Sequence, residues 1–195
     1  MTTATNEYPT KAYGATAPDS GVGPMAITRR GLRDDDVLIE ITHCGICHSD
    51  LHSARNDWGF TTYPIVPGHE IVGTVTAVGE SVTRHKVGDR VAIGCMVDSC
   101  MECAHCDADL EQYCLSGGMT GTYNGKDRRD GSPTYGGYSE RIVAREEFVL
   151  KVPEGMPMAE AAPLRGDHAR AAALGPADGH LAVDEIPGAM HRAAC

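Results

Sequence analysis

Cys100, Cys103, Cys106 and Cys114 stand at the spacing C-x2-C-x2-C-x7-C. Four thiolates so arranged can close a tetrahedral shell around zinc and leave no position for water, which makes a structural rather than a catalytic site. Such an ion would pin a loop too short and too polar to fold by itself. Asp107, Asp109 and Glu111 lie in this segment, and it holds no Lys or Arg. A zinc ribbon that binds nucleic acid is therefore the weaker alternative. Cys95 falls outside the spacing and reads as a buried small hydrophobe.

A second group is His43-Cys44-Gly45-Ile46-Cys47-His48-Ser49-Asp50-Leu51-His52, followed some twenty residues on by Pro67-Gly68-His69-Glu70. A catalytic zinc takes fewer protein ligands than a structural one and keeps an exchangeable oxygen. A thiolate, an imidazole and a carboxylate are available here, although a Cys-His pair by itself does not single them out.

Short strands with tight turns must position these groups. Val37 to Thr42 is rich in β-branched residues, Ile71 to Gly79 reads as a strand with glycine breaks, and Arg90 to Ile93 follows the turn Val87-Gly88-Asp89. Phe148 to Val152 is a further run, ended by Pro153. Several short strands separated by Gly and Pro indicate an all-β barrel or sandwich. No long amphipathic helix is expected before residue 158, and the segment from Gly117 to Gly137 reads as loop.

The 195 residues suit one domain or one domain with an appendage, and 42% hydrophobic with only 5% aromatic residues predicts a mostly aliphatic core. A net charge of −10 disfavours nucleic acid and anionic lipid as partners. No apolar run is long enough to span a bilayer, and Met1 to Lys11 lacks the apolar stretch of a secretory signal. A cytoplasmic location is the expectation. Eight cysteines at short spacings in such a chain point to metal or redox chemistry rather than disulfides.

The block Gly68-His69-Glu70-x2-Gly73-x5-Gly79-x2-Val82 resembles the signature of the zinc-dependent alcohol dehydrogenases. Cys47-His48-Ser49-Asp50, the four-cysteine segment and Gly136-Gly137-Tyr138-Ser139-Glu140 resemble the same family, in its NADP-dependent, cinnamyl-alcohol-dehydrogenase-like branch. The resemblance runs from about Tyr13 to Leu164. It implies a mainly β (α+β), GroES-like, partly open β-barrel with a four-cysteine zinc lobe, and two zinc ions, one catalytic and one structural. Cys47 and His69 would hold the catalytic zinc, with Glu70 as an adjacent or exchanging ligand. Asp50 would hydrogen-bond the zinc-bound imidazole. Ser49, also placed beside the cofactor, would pass on the substrate proton, and His52 would release it to solvent. Trp58 would line the substrate pocket or pack in the core. Cys44 reads as structural, and His43, His85 and His105 as surface residues.

The resemblance breaks after Leu164. Where the family continues Leu-Cys-Ala-Gly-Ile-Thr, this chain has Arg165-Gly166-Asp167-His168, so Gly166 replaces the cysteine that would complete the catalytic zinc site. Asp167 or His168 is an alternative ligand for that position. No G-x-G-x-x-G motif follows a strand, and 31 residues are too few for an alternating βαβ sheet. Residues 1–164 are therefore expected to form the catalytic domain and 165–195 a tail foreign to the family, with a poor helix or flexible stretch near Ala169 to Leu174. The nucleotide-binding domain, through which family members form homodimers, is expected to be absent.

The expected activity class is interconversion of a primary alcohol and an aldehyde with NADP, weak or absent in this chain alone. A non-catalytic zinc module that binds a protein partner is the alternative. Codons for Leu164 to His168, read one base out of frame, can spell Cys-Ala-Gly-Ile-Thr. Those from His168 to Gly175 can spell Thr-Arg-Ala-Pro-Leu-Arg-Trp-Gly, close to family members. A frameshift at codon 164 is thus expected, and the other frame downstream should encode a nucleotide-binding domain. Sequencing that DNA checks it, and an early run of stop codons there would refute the frameshift.

Overall fold

The computed structural model describes residues 7–163. The expectations for Gly166, Asp167, His168, the segment Ala169 to Leu174 and the rest of the tail lie outside the described residues. Strands β1 (Tyr8–Gly14) and β2 (Gly23–Arg29) form an antiparallel ribbon. The main sheet is built from β3 (Asp36–Cys44), β4 (Ile71–Val78), β5 (Arg90–Ile93), β8 (Arg141–Arg145) and β9 (Leu150–Lys151), in the order β8-β3-β4-β5-β9. Helix α1 (His48–Arg55) lies between β3 and β4. A two-stranded pair, β6 (Met96–Asp98) with β7 (Thr120–Gly121), brackets the cysteine segment and its short helix α2 (Ala104–Asp107). Helix α3 (Met158–Ala161) closes the described chain against Val72, Ala92 and Val152.

The core is aliphatic, as the composition predicts. Val37, Ile39, Ile71, Val75, Val91, Ile93, Ile142 and Ala144 pack together, and Phe148 is the one aromatic side chain among the buried hydrophobic residues described. Each fully buried Val or Ile contributes about 1.5–3 kcal/mol. β3 is an interior strand, paired with β8 on one side and β4 on the other, and its first four residues are buried. Asp36 at its start has no exposed surface; its carboxylate accepts hydrogen bonds from Arg30 Nη2 (3.0 Å) and Arg33 N (2.8 Å). In β4 a Cβ at Gly73 would stand 2.2 Å from the Glu40 carbonyl, so only glycine lets the two strands approach there. Register shifts interrupt the β3–β4 ladder between Leu38 and Ile39 and between Ile41 and His43. The second bends β3 just before Cys44.

The ribbon is tied to the chain entering β8. Tyr13 N donates to Tyr138 O (2.7 Å), and Glu140 N donates to Lys11 O (3.0 Å). Arg29, only 8% exposed, reaches across to the same stretch. Its guanidinium donates to Tyr135 O (2.5 Å), Gly136 O (2.8 Å), Arg141 O (2.9 Å) and Ser139 Oγ (2.8 Å). Burial lowers its pKa to about 9, which leaves it charged at neutral pH.

The runs read as strands at Val37 to Thr42, Ile71 to Gly79 and Arg90 to Ile93 are strands. Phe148 to Val152 is not one strand, since a 3-10 turn (Glu146–Phe148) takes its beginning and β9 keeps two residues. The segment from Gly117 to Gly137 is turns and loop apart from β7. β1, β2 and β8 were not evident from the sequence because few apolar side chains mark them. Thr10 and Ala12 are the buried side chains in β1, and Ile142 and Ala144 those in β8. No helix among the described residues is long and apolar enough to cross a membrane.

Three single residues depart from expectation. Cys95 is half-buried rather than buried, and His105 is half-buried with Nδ1 donating to Tyr113 O (2.6 Å). His85, expected at the surface, is 8% exposed. Its Nε2 lies 3.0 Å from the Val149 carbonyl, and because a carbonyl only accepts, Nε2 carries the proton. Nδ1 is buried without a hydrogen-bond partner of ordinary geometry. Burial lowers the His85 pKa below the ordinary imidazole value, against the opposing pull of backbone bonds at Val149 and Glu146. The unfolded chain then binds more protons than the folded one just below about pH 6.5, and stability falls as pH drops through that range. Urea unfolding between about pH 5 and 8 should show this slope, and His85→Gln, which keeps a donor for Val149, should flatten it. An identical slope in both proteins would assign the titration elsewhere.

Candidate metal centres

The four-cysteine lobe is assembled within one short stretch. Cys100 follows β6, Cys103 precedes α2, Cys106 lies in it and Cys114 ends a 3-10 turn (Glu111–Tyr113). All four sulfurs lie within 4.8 Å of one another. The Cys100–Cys106 and Cys103–Cys106 Sγ separations are 3.8 and 3.5 Å. A tetrahedral ZnS4 shell with bonds of ~2.3 Å needs edges of about 3.8 Å, so the lobe fits a single zinc. Backbone N–H groups favour the thiolate form. The amides of Cys106 and Leu115 pull the Cys103 pKa down to about 6, and Leu115 N lies 3.4 Å from Cys103 Sγ. Left-handed backbone at Met101 (φ 59°) and Asp109 (φ 60°) folds the chain tightly enough for the sulfurs to converge.

The second centre is composite. β3 ends where β4 begins, with Cys44 paired to Ile71, and Gly45 N extends the pairing by donating to Glu70 O (2.9 Å). This crossing brings Cys47, three residues beyond β3, beside His69 and Glu70, just ahead of β4. One ligand atom from each of the three lies within 4.8 Å of the others. Cys47 caps the N-terminus of α1, and Asp50 one turn on bonds back to the Cys47 amide (2.9 Å). The same carboxylate, 3% exposed, accepts from Gly68 N (2.9 Å), His69 Nδ1 (3.2 Å) and Tyr138 Oη (3.0 Å). A carboxylate only accepts, so Nδ1 carries the proton and His69 Nε2 keeps a lone pair that could bind a metal.

The charges follow this wiring. Burial alone would raise the Asp50 pKa, but the bonds from His69, Cys47 and Gly68 outweigh it and hold the group below the usual carboxylate range. Burial alone would lower His69; the bond and charge of Asp50 raise it instead. Burial opposes ionisation of Cys47, yet the hydroxyl and amide of Ser49 lower its pKa overall. Burial raises Glu70 and pushes the Cys44 thiol up to about 12. Cys44 is therefore held as the thiol at neutral pH. Tyr138 and Tyr123 are raised by burial and by the Asp50 charge, so both stay protonated. The Tyr123 ring lies 5.7 Å from that of His69.

The family model described as alcohol dehydrogenase GroES-like domain matches residues 33–154. The chain belongs to the alcohol dehydrogenases. It is 54% identical over 153 residues to NADP-dependent alcohol dehydrogenase C 1 of Mycolicibacterium smegmatis, covering 78% of this chain and 44% of that one. Probable cinnamyl alcohol dehydrogenase 5 of Oryza sativa subsp. japonica is 52% identical over 158 residues, 80% of this chain and 44% of the relative. Among solved structures, a cinnamyl alcohol dehydrogenase of Sorghum bicolor superposes with a TM-score of 0.78 at 42% identity, over 81% of this chain and 44% of that chain. One from Helicobacter pylori, complexed with NADP(H), superposes with a TM-score of 0.78 at 38% identity, over 82% and 46%. The chain thus spans under half the length of these relatives. The family is the zinc-type, cinnamyl-alcohol-dehydrogenase-like one, and the match covers its N-terminal part.

The remaining family-implied residues separate into two groups. Ser49 is buried on α1; its hydroxyl is near enough to favour the Cys47 thiolate but completes no hydrogen bond of ordinary geometry. His52, one turn along, is half-exposed, with Nδ1 2.8 Å from Asp57 Oδ2 and its ring 5.4 Å from that of Trp58. Trp58 is 42% exposed and stacks on Phe60, so it is not core packing. His43 is exposed. Sequence reasoning assigned no role to Tyr123 or Tyr138. Tyr138 had a signal, the Gly136-Gly137-Tyr138 motif, whereas nothing in the sequence around Tyr123 marks it.

The lobe should unravel when one thiolate is lost. In Cys103→Ser, zinc measured by elemental analysis should fall by one ion per chain. Limited proteolysis should then cut between residues 100 and 118 while the β-sheet core stays resistant. Retention of all bound zinc by the variant would contradict the four-thiolate assignment.

Proposed function

We propose that this chain is the catalytic, metal-binding domain of a zinc-dependent alcohol dehydrogenase that interconverts primary alcohols and aldehydes with NADP. The observation that carries the reading is the convergence of Cys47, His69 and Glu70 on one point, beside a buried Ser49. In this reading Cys47 and His69 hold a catalytic zinc, with Glu70 adjacent or exchanging, and the four cysteines of the lobe hold a structural one. The catalytic zinc supplies Lewis-acid stabilisation of negative charge on the substrate oxygen, and NADP supplies the hydride acceptor. Asp50 keeps His69 in the tautomer that ligates and raises its basicity. Ser49 Oγ, buried beside Cys47, would relay the proton of a substrate hydroxyl, taking it up as it gives its own proton on toward His52, and would lie beside NADP. His52, on the next turn of α1 and partly open to water, takes the proton onward. The ribbon and main sheet make a partly open barrel around this centre, a reading supported by the bridge between Ala12 and Ser139. Cytoplasmic location and small-molecule alcohols or aldehydes as substrates belong to the same proposal.

The test replaces the matching segment of the Mycolicibacterium smegmatis relative with residues 7–163. The chimera should bind zinc and oxidise primary alcohols with NADP. Ser49→Ala in the chimera should lower kcat by about 10²-fold or more, with zinc content unchanged. A folded, zinc-loaded chimera without turnover would favour a non-catalytic zinc module that binds a protein partner.

A further inference from the structure

We propose that Tyr138 is a positioning residue of the Cys47/His69 centre, acting through Asp50. The inference rests on the reading of Cys47 and His69 as metal ligands, and it gives a role to the Gly136-Gly137-Tyr138 motif.

Asp50 is a buried carboxylate whose two oxygens are each met by two donors. Oδ1 accepts from Gly68 N (2.9 Å) and His69 Nδ1 (3.2 Å). Oδ2 accepts from Cys47 N (2.9 Å) and Tyr138 Oη (3.0 Å). Three of these donors belong to the ligand-bearing segments themselves. Among these four donors Tyr138 is the one contributed from elsewhere in the chain, and it ties Asp50 to a different part of the fold. Without the phenol, Oδ2 keeps one of these two donors, the Cys47 amide, and the carboxylate can rotate away from His69, whose bond is already the longest of the four.

Tyr138 can do this because its own position is over-determined. Residues 136–138 lie against residues 66–68 through three backbone bonds: Gly136 N to Val66 O (2.7 Å), Gly137 N to Gly68 O (2.8 Å) and Tyr138 N to Pro67 O (3.0 Å). A Cβ at Gly136 would stand 2.4 Å from the Pro67 and Gly68 carbonyls, and one at Gly137 2.3 Å from Ile71 Cγ1. A Cβ at Gly68, where φ is +101°, would stand 2.7 Å from Tyr138 Cδ1. The three glycines therefore set the depth to which the phenol reaches. Arg29 clamps the outer side of the same segment through the carbonyls of Tyr135 and Gly136. The arm is rigid from both faces and ends at Asp50.

The experiment is cobalt(II) titration of the full chain under chelator competition, following the visible spectrum. The four-thiolate lobe gives separate, stronger charge-transfer bands and reports that each variant is folded. Tyr138→Phe should weaken cobalt at the Cys47/His69 centre roughly tenfold and shift its d–d bands, with the lobe unchanged. Tyr135→Phe, which removes a hydroxyl from the same segment without touching Asp50, should match the parent chain. In an Asp50→Asn background Tyr138→Phe should have no further effect, because its path runs through that carboxylate. Unchanged cobalt binding in Tyr138→Phe beside loss in His69→Ala overturns the inference alone. So does an equal effect of Tyr138→Phe with and without Asp50→Asn. Unchanged binding in His69→Ala removes the ligand reading itself, and the inference with it.

Discussion

The buried Asp50 carboxylate is the interaction on which the composite centre depends. A charge taken out of water costs several kcal/mol unless hydrogen bonds replace its hydration. Asp50 is 3% exposed, and four donors replace that hydration. Those donors come from the start of α1, from the Gly68–His69 turn and from the segment before β8. The fold cannot leave any of these segments out of place without leaving the charge under-solvated. One carboxylate thereby ties the thiolate of Cys47 to the imidazole of His69, and it does so by the same bond that sets the imidazole tautomer.

Close backbone approach is what makes the network possible. Antiparallel pairing of the end of β3 with the start of β4 brings residues 47 and 69–70 together. The 66–68 and 136–138 segments then run in contact, at a distance that any side chain on Gly68, Gly136 or Gly137 would prevent. Arg29 holds the second segment from the ribbon side. Among the described residues no carboxylate pairs with it, and its burial is offset by three carbonyls and a hydroxyl, a charge-assisted set worth more than neutral bonds of the same number.

The two centres differ in how the chain builds them. The four-cysteine lobe is local: its ligands span fifteen residues, and two left-handed residues are enough to fold the sulfurs inward. The Cys47/His69/Glu70 centre is non-local and needs the main sheet to be in register first. The lobe therefore fits one tetrahedral ion by its own spacing, whereas the other centre borrows its rigidity from the core of Val37, Ile39, Ile71 and Val75.

By itself the sequence determined the lobe, the three main strands and the family. Cysteine spacing points to a shared ligand shell, and runs of β-branched residues at 37–42, 71–79 and 90–93 between turn residues favour strands. It did not disclose β1, β2 or β8, whose buried positions are small or few, nor α1, an eight-residue helix of mean polar character. His85 looked like any surface histidine until packing against Val149 buried it. Tyr138 stood in a recognised motif without a role, because its partner Asp50 lies 88 residues away. Only the tertiary structure decided that partnership, for a physical reason. Spacing along the chain specifies what neighbouring residues can bind together, whereas which distant donor satisfies a buried charge is settled by strand register and by how closely the glycines let two backbones approach.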